Sequence, residues 1–233
     1  VLLRGLIGRA GAVTLLQNAD DRDTLARAGI AAPARCAIVR GAGVDLDAFA
    51  PPATRPAGPP LVVLVARMLR DKGVLEFAAA AAMLKARGVA VRCALVGDTD
   101  AENPAGIARE ALSALAGGGA VEWWGRRDDM PAVLSQAHVA CLPSYREGLP
   151  KALLEAAANG LPLVATDVPG CREIVRDGDN GLLVPARDPQ RLAEAIARLA
   201  GDAALRERMG RRSRELAAEF GLDTVIRTTL ALY

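Results

Sequence analysis

Aromatic side chains make up only 3% of this 233-residue chain, histidine occurs once, and the net charge is +2. So small an excess of positive charge gives no support to a general nucleic-acid role. The four cysteines, Cys36, Cys93, Cys141 and Cys171, lie far apart, and no pair has metal-site spacing. A structural zinc is therefore not expected, and buried thiols in a reducing compartment are. The longest aliphatic run, residues 61–66, is far too short to span a bilayer, and no signal segment opens the chain. These absences lead to a cytosolic location. The chain begins with Val1 inside an apolar pattern, which reads as a piece of something longer.

What is abundant is aliphatic: 52% hydrophobic residues, with many Ala, Leu and Val, fit a helix-rich α/β protein. Residues 12–16 and 36–39 read as strands, with an acidic helix start at Asn18, Asp20, Asp21 and Asp23 between them. Gly41-Ala42-Gly43 lacks the third glycine of a dinucleotide fingerprint and reads as a tight turn. The proline-rich stretch 51–60 breaks regular structure and is the expected linker between residues 1–50 and a domain spanning 61–220. From residue 61 strands and helices alternate, with helices expected at 73–87, 105–115, 130–137 and 170–175. This order predicts a parallel sheet flanked by helices. Amphipathic helices are expected at 189–200 and 203–220, and a last apolar stripe at 222–232. The second carries Arg206, Arg208, Arg211, Arg212 and Arg214. That run fits a solvated face salted with glutamates better than a surface for acidic lipid.

The stretch from Pro143 to Glu155 organises the rest. A buried strand precedes it, a helix with Pro150 in its first turn follows, and the loop between carries Glu147 and Gly148. In open α/β sheets ligands bind at this strand end, and a helix start offers free N–H groups to oxygen-rich ligands. Glu155 lies about two turns on, facing back toward the loop. Two such carboxylates can accept bonds from sugar hydroxyls; the same spacing also fits two solvated glutamates on an exposed helix.

Arg67 and Lys72 follow the 61–66 strand, and Gly73 opens a helix. Two cations at a helix N-terminus suit a diphosphate, although this is not a Walker loop. Alone the pair reads as surface cations; beside the glutamate stretch it gains meaning. Asp98-Thr-Asp100 reads as a turn rather than a metal site, since the cations already answer phosphate charge. His138 reads as a packed core or edge residue, and Trp123 and Trp124 as core rings.

Together Arg67 with Lys72, the Gly125 loop, Pro143-Ser144 with Glu147-Gly-Leu-Pro-Lys151, Glu155, Pro169-Gly170 and Asn180-Gly181 resemble the nucleotide-sugar-binding half of family 4 retaining glycosyltransferases, of the GT-B fold. Gln17 to Arg22 and Gly97 to Pro104 resemble the branch that builds capsule, lipopolysaccharide and lipid-linked glycans. The resemblance implies that Arg67 and Lys72 hold the diphosphate, Glu155 the ribose, and Glu147 with the Gly148 and Leu149 backbone the donor sugar, with Gly125 and Arg126 near the base. It implies catalysis without a bound metal or other cofactor, by Glu147, Arg67 and Lys72, and retention at the anomeric carbon. The expected donor is a nucleoside-diphosphate hexose or N-acetylhexosamine, UDP being the expected carrier, and the acceptor a polyprenyl-linked or growing glycan. A peripheral position at the inner face of the plasma membrane would suit that acceptor.

The acceptor-binding amino-terminal domain is represented only by its end in residues 1–50, and the segment 221–233 is expected to pack back on it. This chain should therefore bind donor more convincingly than it transfers. A non-hydrolysing nucleotide-sugar epimerase is the alternative on the same fold, poorly supplied by one histidine. A binding module without chemistry is the third reading.

Overall fold

The structure, a computed structural model, describes residues 7, 12–41 and 43–232. The opening apolar pattern and Ala42 of the Gly-Ala-Gly turn lie outside those residues. Strand β1, Thr14–Leu16, pairs in parallel with β2, Cys36–Ile38, and helix α1, Ala19–Arg27, connects them. Asn18 caps that helix, its side chain accepting from the Asp21 amide at 2.7 Å.

The remaining strands form one parallel sheet. They are β3 Leu61–Val65, β4 Arg92–Val96, β5 Glu122–Trp123, β6 Val139–Leu142, β7 Leu163–Thr166 and β8 Gly181–Val184. Their spatial order is β5-β4-β3-β6-β7-β8. The chain thus winds outward from β3 to one edge and returns to pair β6 with β3 before winding to the other. Where β3 meets β6 the winding reverses, and the carboxyl ends of strands at such a reversal are where open α/β sheets hold their ligands.

Both faces of the sheet are covered, which explains why its strands read as unbroken aliphatic runs. Val62 and Leu64 belong to a core shared with Phe77 and Leu84 of α2 (Val74–Ala86) and Ile196 of α7 (Pro189–Gly201). Leu61 and Val63 point the other way, into a core with Val133 and Leu134 of α4 (Met130–Gln136) and Leu153 and Leu154 of α5 (Lys151–Ala158). Each fully buried leucine contributes about 1.5–3 kcal/mol relative to exposure. Helix α3 is Arg109–Gly117, α6 Pro169–Arg172, α8 Ala203–Ala217 and α9 Leu222–Leu230. Among the described residues no helix is long and apolar enough to cross a membrane.

The boundaries differ from the sequence expectation in three places. The helix expected from Ala105 begins at Arg109, because the preceding backbone is spent on the loop after β3: Arg70 donates to the Ala105 carbonyl at 2.8 Å and Ile107 to that of Met68 at 2.9 Å. The helix expected over 170–175 stops at Arg172, and Asn180 organises the following turn through the Arg176 amide and the Ile174 carbonyl. The segment 203–220 ends in a 3-10 turn at Ala218–Phe220. Beyond it Val44 brackets the chain, its amide donating to Phe220 at 3.0 Å and its carbonyl accepting from Leu222 at 3.1 Å. Helix α9 buries Val225 and leaves Ile226 and Leu230 exposed.

Candidate functional site

Four loops meet beyond the carboxyl ends of the central strands. After β3, residues 66–73 carry Arg67 and, on a short 3-10 turn at Arg70–Lys72, the ammonium of Lys72. Gly73 links that turn to α2 with φ +71°, and a β-carbon there would collide with the Pro143 carbonyl at the end of β6. Glycine is therefore required for the two loops to touch.

The contact delivers Lys72 to the loop after β6. Its Nζ lies 2.6 Å from Glu147 Oε1, with the two side chains 23% and 10% exposed. A charge-assisted pair this withdrawn from water is held more firmly than a surface ion pair. Gly170 of α6 supports the loop from behind, its missing side chain making room for the Glu147 and Gly148 carbonyls. Asn18 reaches across from the α1 cap to donate to the Gly148 carbonyl at 2.9 Å. The amides of Glu147, Gly148 and Leu149 donate to no acceptor among the described residues. Three consecutive unspent N–H groups beside an ammonium are a receptor for anionic or hydroxyl oxygen. The Leu149 side chain turns away, against Gly41.

Arg67 occupies a neighbouring part of the crevice. It pairs with Asp100 at 2.8 Å, its own side chain 63% exposed. With Gly97, Thr99, Arg126 and Arg127 it surrounds a cavity of about 400 Å³ floored by Val65, Val96 and Met130. Arg126 is exposed and pairs with Asp128 at 3.1 Å. Gly125, at φ +65°, accepts from the Gly97 amide at 2.8 Å and so fixes the loop after β5 against the loop after β4. Asp98 and Asp100 are each engaged by a guanidinium, of Arg109 and Arg67. Among the described residues no three His, Cys, Asp or Glu side chains cluster as a metal site would.

The predicted residues thus fall into three groups. Lys72 and Glu147 touch, and Arg67 and Arg126 share a cavity. Glu155, only 8% exposed on α5, has its carboxylate 3.1 Å from Lys151 one turn earlier.

Sequence reasoning missed a supporting layer. The Tyr145 hydroxyl donates to Glu76 Oε1 at 2.5 Å, tying the loop after β6 to the first turn of α2, while Glu76 Oε2 is buried without a partner among the described residues. Arg187, the one described non-glycine residue with positive φ (61°), holds its guanidinium 4.4 Å over the Tyr145 ring. Burial, and then Glu76, push the Tyr145 phenol above its ordinary range. Nothing in the spacing of residues 76, 145 and 187 announces this contact. His138 and the tryptophans prove structural. His138 Nδ1 accepts from the Leu61 amide at 3.1 Å and Nε2 meets the Pro56 carbonyl at 3.0 Å. The indole N–H of Trp123 donates to Gly97 at 2.9 Å, and that of Trp124 to Glu122.

Comparison with known proteins gives this geometry a family. The family described as glycosyl transferases group 1 matches residues 59–202, more than half of the chain. The chain belongs to the group 1 glycosyl transferases. It is 35% identical over 174 residues to the N,N'-diacetylbacillosaminyl-diphospho-undecaprenol alpha-1,3-N-acetylgalactosaminyltransferase of Campylobacter jejuni, covering 75% of this chain and 44% of that protein. It is 33% identical over 171 residues to the alpha-D-kanosaminyltransferase of Streptomyces kanamyceticus, covering 70% and 42%.

Among solved structures of this fold, sucrose-phosphate synthase from Thermosynechococcus elongatus superposes with a TM-score of 0.85 at 28% identity, over 99% of this chain and 59% of that one. Anabaena HepE, solved in complex with UDP, has a TM-score of 0.83 at 20% identity, over 99% and 67%. These neighbours are GT-B glycosyltransferases, and the parallel α/β domain described above is the corresponding half of that fold. The chain spans less than half the length of the curated relatives it matches.

Proposed function

We propose that this chain is the donor-binding part of a retaining glycosyltransferase that moves a hexose or N-acetylhexosamine from a nucleoside diphosphate, UDP being favoured, to a lipid-linked or growing glycan. The observation that carries the reading is the Lys72–Glu147 pair beneath three unspent amides, at the crevice where β3 meets β6. Similar proteins support it: the Campylobacter relative is named for a diphospho-undecaprenol acceptor, and HepE was solved with UDP.

In this reading residues 1–50 close an acceptor domain, residues 61–220 bind donor, and 51–60 join them. The diphosphate draws Lys72 from Glu147 and Arg67 from Asp100. These cations then take the charge that develops on the leaving group, the role a divalent ion plays elsewhere, so no metal is needed. Freed, Glu147 accepts bonds from the donor sugar, with the Gly148 and Leu149 amides donating to its oxygens. Glu155 takes the ribose hydroxyls, and the loop at Gly125 and Arg126 borders the base. The acceptor hydroxyl attacks the anomeric carbon on the face the diphosphate leaves. The carbon–oxygen bond to phosphate breaks, and the hydroxyl proton passes to the departing phosphate. An acceptor with a polyprenyl tail would bring the enzyme to the inner face of the plasma membrane.

Calorimetric titration with UDP, GDP and NAD, without metal, tests the donor pocket. UDP binding weakened by about 1–3 kcal/mol in both Arg67→Ala and Glu155→Ala is expected, the scale of a lost charged hydrogen bond. UDP binding indifferent to both substitutions would refute the assignment.

A further inference from the structure

Tyr145 is bonded to the chain on both sides of Lys72. Its backbone amide donates to the Asp71 carbonyl at 2.8 Å, and its hydroxyl to Glu76 Oε1 at 2.5 Å. The Asp71 carbonyl belongs to the peptide unit that leads into Lys72, and the other end of that unit, the Lys72 amide, donates to the Leu69 carbonyl at 3.2 Å. The plane from which the Lys72 side chain springs is thus fixed at both ends. Glu76 lies in the first turn of α2, so the hydroxyl holds the far side of the Gly73 link. Tyr145 also stands two positions before Glu147, the residue that Lys72 meets at 2.6 Å.

Tyr145 is itself firmly held. The Ser144 carbonyl before it accepts from Thr166 Oγ1, which anchors this backbone to β7. Arg187 covers one face of the ring, reaching it from a left-handed backbone immediately before Asp188, whose side chain caps α7 by accepting from the Arg191 amide at 2.9 Å. That conformation is uncommon for a residue other than glycine.

The pair with Glu76 is a costly way to join a loop to a helix. With Glu76 Oε2 buried and unpartnered among the described residues, half of the carboxylate is withdrawn from water with nothing in return. Phenylalanine and leucine in these two places would join the same elements without that loss. What the polar pair adds is direction, because one hydroxyl on one acceptor fixes where the loop stands along and around α2. Direction matters when donor binds. In the free protein Glu147 holds the Lys72 ammonium directly. Once a diphosphate opens that pair, the flexible stem of lysine leaves its charge free to wander unless the root is fixed.

We infer that Tyr145, through Asp71 and Glu76, is a positioning residue that keeps Lys72 aimed at the diphosphate after the pair with Glu147 has opened. The inference rests on the donor reading given above and adds to it a residue that acts through Lys72 rather than on the ligand.

The test is the affinity of the whole chain for UDP in wild type, Tyr145→Phe, Lys72→Met and the double variant, by calorimetry and, for weak binding, by amide chemical shifts. Tyr145→Phe keeps the ring under Arg187 and the backbone bond to Asp71 and removes only the hydroxyl. Affinity should fall about three- to tenfold in Tyr145→Phe and about tenfold or more in Lys72→Met, the scales of a neutral and a charged hydrogen bond. The double variant should bind no more weakly than Lys72→Met alone, since the hydroxyl then has no ammonium to aim. Glu76→Ala breaks the same bond from the other side and should reproduce both results; it decides the matter if Tyr145→Phe does not fold. A merely structural hydroxyl would weaken UDP by the same factor with or without Lys72. That result, or affinity unchanged in Tyr145→Phe and Glu76→Ala while Lys72→Met reduces it, would overturn the inference and leave the donor reading standing. No UDP binding by wild type, or binding indifferent to Lys72→Met, would overturn the donor reading and the inference with it.

Discussion

Lys72 and Glu147, 75 positions apart, meet at 2.6 Å because Gly73 lets the loop after β3 lie directly on the loop after β6. Both side chains are largely withdrawn from solvent, so removing one leaves the other partly desolvated and unpaired. Lys72→Met and Glu147→Gln should each destabilise the fold by about 1–3 kcal/mol, and the double variant by less than their sum. Urea denaturation of the four proteins gives the coupling; strict additivity would mean the pair is not held in solution.

Gly73 itself admits no side chain. Gly73→Ala adds the cost of a left-handed backbone, roughly 1–2 kcal/mol, to a collision with the Pro143 carbonyl. A loss of about 2–4 kcal/mol is expected, with nucleotide binding impaired under conditions where the variant remains folded. Gly178, also at positive φ but with open space around it, provides the control and should lose only the backbone share.

The fold was largely legible because parallel strands buried on both faces must be continuous aliphatic runs, as residues 61–65, 139–142 and 163–166 are. The helix starts at Gly73 and Pro150 were legible for the same kind of reason, since only certain residues tolerate those backbones. Arg67 and Lys72 could be placed at a strand end without knowing their partners. What stayed hidden depends on contacts between distant loops. Asp100 on Arg67, Asn18 on Gly148, Arg187 on Tyr145, and the carbonyls that occupy Arg55 leave no periodic trace. The helix expected from Ala105 failed likewise, because pairing with residues 68–70 outweighed local propensity.

His138 ties the linker to the sheet as a neutral ring. Burial lowers its pKa, and Arg55 and Arg206 nearby lower it further, outweighing the Pro56 carbonyl. The folded state therefore disfavours a proton that the unfolded chain binds at its ordinary value of 6.5. The His138 contribution is complete above that pH and is lost as pH falls below it. Wild-type stability should drop more steeply than that of His138→Gln between about pH 7 and pH 5; parallel curves would contradict the assignment.

Thiol chemistry gives an independent check on the core. Burial pushes Cys93 and Cys171 up to about 12 and Cys141 well above its ordinary value. Cys36 alone is partly exposed. A thiol-disulfide reagent should react promptly with one cysteine in the native protein and with four after denaturation. Prompt reaction of a second would place a core strand or helix α6 at the surface.

The most direct measurement is a crystal structure of this chain with UDP. The account predicts UDP in the crevice between β3 and β6, with Arg67 turned from Asp100 and Lys72 from Glu147 onto the diphosphate and Glu155 on the ribose. UDP bound elsewhere, or bound there with both ion pairs intact and the diphosphate touching neither cation, would contradict it.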